Sequence, residues 1–191
     1  MNLALLILSI FFYTENNNHL QTNVSWTTET SLSPREVVYF DPSQNLEWND
    51  FTGTPADGGR AAAVTVSGFG YLANVNTRAG SGVIDIKVYC YFHKNKSWVK
   101  PGRNTSYILS HEQHHFDISY IAASIFTEKL KNASFTSGNY DQLLSKIYDE
   151  STAVMNKMQD DYDGETKNGQ LRDVQAQWNE NVDAQINRIT R

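Results

Sequence analysis

The hydrophobic pattern of this chain changes its period at Pro101, and this change constrains the fold more than any other feature of the sequence. Before Pro101, the run GVIDIKVYCYFH (82–93) alternates between two faces, which is typical of a β-strand. With the glycine-containing run at 61–76, it predicts a hairpin within a small antiparallel or mixed sheet. One face of the strand carries the apolar residues Ile84, Ile86, Val88, Cys90 and Phe92. After Pro101, apolar residues recur at helical steps, so strands and helices are segregated and the fold class is α+β.

Three helices are predicted after the sheet. The first covers 106–131, with Asn104 or Thr105 as its N-cap. The second covers 140–162 and is expected to run antiparallel to the first, and a third helix completes the chain. Because 191 residues with 40% hydrophobic content suffice for one core, we expect a single domain over 37–191.

The N-terminal stretch is predicted to lie outside this domain. Residues 1–20 begin with the apolar run MNLALLILSIFFY, which is too short to span a bilayer and fits a secretory signal peptide; a buried N-terminal strand is the alternative. Residues 21–36 are rich in Asn, Thr and Ser and predict a flexible extension. We therefore expect a secreted or periplasmic protein with no stable membrane anchor once the signal is removed.

Charge and cysteine content exclude several classes of protein. The net charge is −5 and the pI is near 5.5, with Lys and Arg scattered singly, so no nucleic-acid partner is expected. The single cysteine, Cys90, excludes an internal disulfide and a cysteine-based zinc site. In its alternating strand, Cys90 is expected to pack as a small hydrophobic residue.

The motif H-E-x-x-H carries the clearest chemistry in the sequence. His111 and His115 lie one turn apart on the first predicted helix, so both imidazoles can bind the same zinc ion. Glu112 is then placed to act as the general base that takes a proton from a zinc-bound water. The motif predicts one zinc ion per chain and a metallopeptidase that hydrolyses peptide bonds in a peptide or protein substrate. An edge strand at 83–93 could pair with an extended substrate.

Two neighbouring residues leave alternatives open. His114 lies three residues after His111 and could compete as the second ligand; we expect it to face solvent or a hydrogen-bonding partner instead. Asp117 lies well round the helix from His111 and is expected to be a hydrogen-bonding or charge partner. If no metal binds, the histidines merely form a polar patch.

A catalytic zinc requires a third protein ligand. Equal rise along two antiparallel helices brings residues 158–164 beside His111 and His115. The acidic residues in or just beyond this window are Asp160, Asp161, Asp163 and Glu165. Asp161 continues the inner face of the helix, whereas Asp163 is expected just past the helix end, where a loop could turn it inward.

Several stretches resemble a family of uncharacterised bacterial secreted proteins regarded as zincin-type, zinc-dependent proteases. HEQHHFDI resembles the HEQxHFDI signature of that family. LEWNDFTGTP resembles the Trp-x-x-Phe-x-G-x-P block of the family, and KSWV resembles its Ser-Trp pair. YDGETKNG resembles its Tyr-Asp-x-x-Thr-x-His-Gly block, and the segment from Gln175 to Trp178 resembles its Gln-x-x-Trp block. The likeness covers residues 46–182, and the metal-bearing helix is its most specific part.

This resemblance implies a zincin-like fold in which the metal-bearing helix follows the sheet. It implies His111 and His115 as zinc ligands and Glu112 as general base. It makes Asp163 the leading third ligand and Tyr162 a candidate donor to the oxyanion. Asn168 stands where the family has His, which predicts weaker or lost activity and raises the alternative of a non-catalytic zinc-binding exported domain, structural or partner-binding in role.

Overall fold

The computed structural model describes residues 18–56, 58–78 and 81–190. Most of the predicted signal peptide, residues 1–17, lies outside these ranges. No helix in the described ranges is both long and apolar enough to cross a bilayer.

A four-stranded mixed sheet forms the N-terminal half of the fold. Its strands are β1 (Leu20–Trp26), β2 (Val37–Tyr39), β4 (Ser67–Arg78) and β5 (Ser81–His93). The central strand is β5, which pairs antiparallel with β4 along one edge. On the other edge it pairs parallel with β1 and antiparallel with β2. The expected substrate-pairing edge at 83–93 is therefore wrong, because that segment is already paired on both sides.

A smaller two-stranded sheet joins β3 (Ala63–Val64) to β6 (Trp98–Val99) in antiparallel register. The long strand predicted from residue 61 is thus divided between β3 and β4. The break leaves Thr65 between the two strands, where its side chain reaches the first helix. A 3-10 turn at Trp48–Asp50 precedes β3.

The segment predicted to be a flexible extension, 21–36, contains all of β1 except Leu20, which falls in the predicted signal peptide, so residues 21–26 are not loose. Leu20, Thr22 and Val24 alternate with exposed residues and turn inward along β5. The Asn23 amide donates to Asp85 Oδ1 over 2.8 Å, which satisfies a polar side chain across the pair. The prediction failed because the alternation is short and lies in a polar, Asn-rich sequence.

Three long helices complete the fold as expected: α1 (Ser106–Lys131), α2 (Tyr140–Thr166) and α3 (Arg172–Ile189). Thr105 is the N-cap of α1, and its side chain accepts from the Ile108 amide. The second helix continues beyond the predicted end at residue 162. Asp163 therefore lies in the last helical turn rather than in a loop.

The apolar core has two parts. The larger one lies between the sheet and the helices and includes the predicted inner face of β5, whose five apolar residues are all buried. The smaller one joins the helices through four fully packed side chains: Ile118, Ile121, Tyr162 and Val182. Mixed sheet and helices together confirm the α+β class. The small helical core packs the C-terminal part of α2 and the middle of α3 against the middle of α1.

Candidate metal centre

The two histidines of the motif converge at one point beside α1. His111 and His115 lie in the first half of the helix, and their Nε2 atoms are 3.2 Å apart. The ring planes stand at 87° to each other, so the two nitrogen atoms meet while the rings diverge. Helical spacing of four residues produces this pairing directly.

A carboxylate of α2 completes the group. Asp163 Oδ1 lies 3.1 Å from Nε2 of His111 and 3.1 Å from Nε2 of His115. The other acidic residues of the predicted window lie elsewhere: Asp161 pairs with Lys157, Glu165 accepts from the Trp178 indole, and Asp160 is exposed. Of the four candidates, only Asp163 lies beside the two rings.

The three atoms have the spacing that a tetrahedral ion requires. Zinc bonds of about 2.0–2.1 Å place neighbouring ligand atoms of a tetrahedron roughly 3.3 Å apart. The observed separations of 3.1, 3.1 and 3.2 Å are close to that value. Two imidazoles and one carboxylate are also a usual ligand set for catalytic zinc. The residues present therefore fit zinc.

A glutamine amide holds each imidazole from behind. His111 Nδ1 lies 2.8 Å from Gln175 Oε1 on α3, and His115 Nδ1 bonds to Gln159 Oε1 on α2. The Gln159 amide nitrogen donates to the His115 carbonyl over 2.8 Å, which orients its oxygen towards the ring. Because a glutamine oxygen only accepts, both Nδ1 atoms carry the proton and both Nε2 atoms present lone pairs.

With the protons on both Nδ1 atoms, the centre holds several lone pairs and no proton between them. The two Nε2 lone pairs and the Asp163 carboxylate face each other, and only a proton or a cation between them removes the repulsion. When His111 and His115 are protonated, their hydrogen bonds and positive charges hold the pKa of Asp163 well below its usual range, although burial opposes this shift. Burial alone would lower the pKa of His115, but the hydrogen bond and charge of Asp163, with the charge of Glu112, raise it. A proton shared here competes with a metal ion.

Glu112 lies beside this centre without belonging to the three-atom group. Its Oε2 accepts from the Thr65 hydroxyl over 2.8 Å, and the same hydroxyl lies 3.1 Å from the Glu112 carbonyl oxygen. Burial raises the pKa of Glu112, although the His115 and His111 charges and the Thr65 bond oppose the shift. The carboxylate is thus fixed, buried and more basic than an exposed glutamate.

Tyr162 does not occupy the position that its predicted role requires. Its side chain is fully buried, with the ring stacked on His111 at a centroid distance of 4.7 Å. Its hydroxyl accepts from the Gln175 amide and lies 3.4 Å from the His111 carbonyl oxygen. Burial raises the pKa of Tyr162, so the phenol stays neutral. A donor to the oxyanion must reach substrate; we therefore correct this role to support of His111 and Gln175.

A left-handed turn after α2 packs against the other side of His111. Lys167, Asn168 and Gly169 have φ values of 50°, 53° and 75°. A Cβ at Gly169 would lie 3.3 Å from His111 Nδ1, and its positive φ also favours glycine. The Gly169 carbonyl accepts from the Tyr107 hydroxyl over 2.6 Å, which ties the turn to α1. Asn168 is exposed in this turn, and its backbone N–H donates to the backbone carbonyl of Asp163.

The two neighbouring residues with open assignments lie on another face of α1. His114 is buried rather than solvent-facing, and its Nδ1 donates to the Ser110 carbonyl over 2.6 Å. Asp117 accepts from the Gln113 amide over 2.8 Å, as expected for a hydrogen-bonding partner. Burial raises the pKa of Asp117 to about 6. Neither residue competes for the site between His111 and His115.

The sequence did not predict the roles of three residues that contact the centre: Thr65, Gln159 and Gln175. The Gln-x-x-Trp block contains Gln175, so a signal existed for that residue but not for its role. No comparable motif surrounds Thr65 or Gln159, whose contacts depend on tertiary packing.

Comparison of this chain with protein-family models, curated proteins and solved structures found no match. The resemblance to zincin-type proteases therefore stays a prediction.

Proposed function

We propose that this protein is a zinc-dependent metallopeptidase, with His111, His115 and Asp163 as the zinc ligands. The observation that carries the proposal is the approach of three lone-pair-bearing atoms to within 3.2 Å of each other, in the tautomers that metal binding requires. In keeping with the apolar start of the sequence, we propose that it acts outside the cytoplasm on peptides or proteins.

Zinc held by these three residues would lower the pKa of water and polarise a substrate carbonyl. Glu112 then accepts the proton that the attacking water loses as its oxygen bonds to the carbonyl carbon. When the carbon–nitrogen bond breaks, Glu112 returns the proton to the leaving amine. Thr65 keeps the carboxylate in place through its 2.8 Å hydrogen bond during both transfers.

The burial of Glu112 supports this role. Burial raises the pKa of Glu112, and a carboxylate with a raised pKa is a stronger base. The short link from Thr65 restricts its rotamers, so the oxygen that takes the proton has a fixed position.

The second candidate function is a zinc-binding domain that has no peptidase activity. Two observations favour it: Tyr162 is buried away from substrate, and Asn168 stands where the resembled family has His. Together, these two observations leave no evident donor for the oxyanion among the residues that the sequence singled out. In this alternative the same three ligands hold the ion, and the domain serves as a scaffold or binds a partner.

Substitution of the proposed base separates the two functions. We expect the zinc-loaded wild-type chain to cleave a labelled unfolded protein, and Glu112→Gln to cleave it about 10²–10⁴-fold more slowly because general-base catalysis is lost. Zinc content should be unchanged, since Glu112 is not part of the ligand group. Glu128→Gln is the matched control, because it makes the same change at an exposed position of the same helix.

Cleavage by Glu112→Gln at the wild-type rate would exclude Glu112 as the base. Absence of cleavage by a wild-type chain that holds zinc, against a broad set of unfolded substrates, would favour the non-catalytic domain.

A further inference from the structure

The helix that bears the motif also contributes to a second cluster of possible ligands. His114 and Asp117 of α1 lie beside Asp183 of α3, and one atom from each lies within 4.8 Å of the others. The cluster shares no residue with the group of His111, His115 and Asp163. Acidic side chains alone do not make a site, so the state of His114 decides the matter.

His114 has a buried nitrogen atom without a hydrogen-bonding partner among the described residues. Only 6% of the residue is exposed, and Nδ1 donates to the Ser110 carbonyl over 2.6 Å. A carbonyl only accepts, so Nδ1 donates its proton there and Nε2 is the nitrogen atom left for another partner. Nε2 is one of the few buried side-chain polar atoms that no hydrogen bond satisfies.

That nitrogen atom points into the acidic cluster. Asp183 Oδ1 lies 3.3 Å from His114 Nε2, yet the two atoms form no hydrogen bond. A lone pair buried next to carboxylates costs free energy unless a positive charge lies among them. A ligand atom directs its lone pair at the ion rather than at the neighbouring ligand, which agrees with the lack of a hydrogen bond between the two atoms.

We propose that His114, Asp117 and Asp183 bind a second divalent transition-metal ion, of which Zn²⁺ is the probe. One imidazole and two carboxylates suit zinc, manganese or cobalt better than calcium or magnesium. The Gln113 amide donates to Asp117 Oδ1 over 2.8 Å and so orients the carboxylate towards the cluster. The Asp183 side chain is 62% exposed, which gives the ion a path from solvent and makes this site the weaker of the two.

Such an ion would hold α3 against α1. The third helix also carries Gln175, whose amide oxygen bonds to His111 Nδ1 over 2.8 Å. A bridge at Asp183, two turns along the same helix, would therefore stabilise the element that orients one ligand of the first centre. This proposal does not depend on peptidase activity.

Zinc stoichiometry of the full-length chain tests the second site. Metal is removed with a chelator, Zn²⁺ is returned by equilibrium dialysis at neutral pH, and bound zinc is counted by elemental analysis. We expect two ions per wild-type chain at saturation and one fewer in Asp183→Asn. Asp173→Asn is the matched control, because it changes the same charge at an exposed position on the same helix and should bind as many ions as wild type. Saturating zinc should also raise the unfolding temperature of Asp183→Asn less than that of wild type.

The proposal depends on a difference of one ion between two chains, so it survives even if the first centre binds nothing. Asp163→Ala should retain the ion that Asp183→Asn loses, and the double variant should bind none. Equal zinc content in wild type and Asp183→Asn would overturn the proposal and leave His114 as a simple ion pair with Asp183. An equal loss in Asp173→Asn would overturn it too, because the binding would then be adventitious surface charge.

Discussion

At the scale of single residues, orientation of the imidazoles distinguishes this site from two histidines that merely share a helix face. Gln175 and Gln159 fix the proton on Nδ1 of His111 and His115, which leaves both Nε2 atoms free for a metal. Tyr162 supports the same arrangement by stacking on His111 and accepting from the Gln175 amide. These are positioning residues, since none of them belongs to the three-atom group.

Removal of the amide behind His111 should weaken zinc binding without removing a ligand. Gln175→Leu leaves Nδ1 unpaired and the ring free to rotate, so we expect zinc affinity to fall about 10–100-fold. Gln175→Glu keeps an acceptor and should restore most of the affinity. A competition titration against a chelator of known affinity measures both, with the exposed Gln177→Leu on the same helix as control. Equal affinity for Gln175→Leu and Gln177→Leu would contradict the positioning role.

In the metal-free protein, the ionised side chain of Glu112 should lower the free energy of unfolding, because burial raises its pKa. A raised pKa means that the ionised carboxylate is less favourable in the folded chain than in the unfolded one. This cost is present above the unfolded-state pKa of about 4.3 and disappears as the pH falls below it and the group is protonated in both states. Glu112→Gln keeps the acceptor for Thr65 and removes the charge.

We therefore expect metal-free Glu112→Gln to unfold at the same or a higher temperature than wild type at neutral pH. The difference should shrink in mildly acidic buffer. Thermal unfolding in the presence of chelator, followed at several pH values, is the measurement. A variant clearly less stable than wild type at neutral pH would show that the carboxylate stabilises the fold through contacts other than those described.

At the scale of elements, the antiparallel pairing of α1 and α2 assembles the centre. The two helices are joined by a short connection in which Thr136 and Asn139 bond to each other through backbone and side chain. Because both helices rise equally per residue, the last turn of α2 returns to the first half of α1 and brings Asp163 to His111 and His115. The third helix then closes the group from behind.

The N-terminal strand should be essential to the sheet. The seven residues of β1 pair in parallel with β5, from Leu20 opposite Gly82 to Trp26 opposite Val88. Removal of β1 therefore exposes one edge of β5. We expect a chain that begins at residue 27 to lose stability and to aggregate, since an open strand edge pairs with other copies. A chain that begins at residue 18 keeps β1 and serves as control. Thermal unfolding and size-exclusion chromatography compare the two, and equal behaviour would show that β1 is dispensable.

At the scale of the whole molecule, the sequence predicted the elements with strong periodicity and missed those with weak periodicity. The apolar face of β5 and the bounds of α1 follow from repeated patterns and are confirmed. The strand β1 escaped because its alternation is brief, and the end of α2 was placed too early because polar residues follow residue 162. Local pattern is informative where it repeats.

The residues of the metal centre likewise divide into those that the sequence predicts and those that it does not. His111, Glu112 and His115 are recognisable from spacing alone. The geometry of two antiparallel helices narrows the third ligand to four acidic residues, and the family resemblance favours Asp163 among them. Thr65 and Gln159 lie 47 and 44 residues from their partners, and no local signal marks such contacts. The role predicted for Tyr162 failed because the sequence does not show whether its hydroxyl faces the protein interior or the substrate side of the metal centre.

The most direct test of the account is the zinc content of the purified protein with and without the third ligand. The chain is purified without added metal, dialysed, and analysed for zinc as wild type, Asp163→Ala and Asp161→Ala. The geometry predicts about one tightly held zinc ion per wild-type chain, loss of most of it in Asp163→Ala, and no loss in Asp161→Ala, whose carboxylate pairs with Lys157 instead. A wild-type chain without zinc that also binds none when zinc is supplied, or equal zinc in all three chains, would contradict the assignment of His111, His115 and Asp163 as a metal centre.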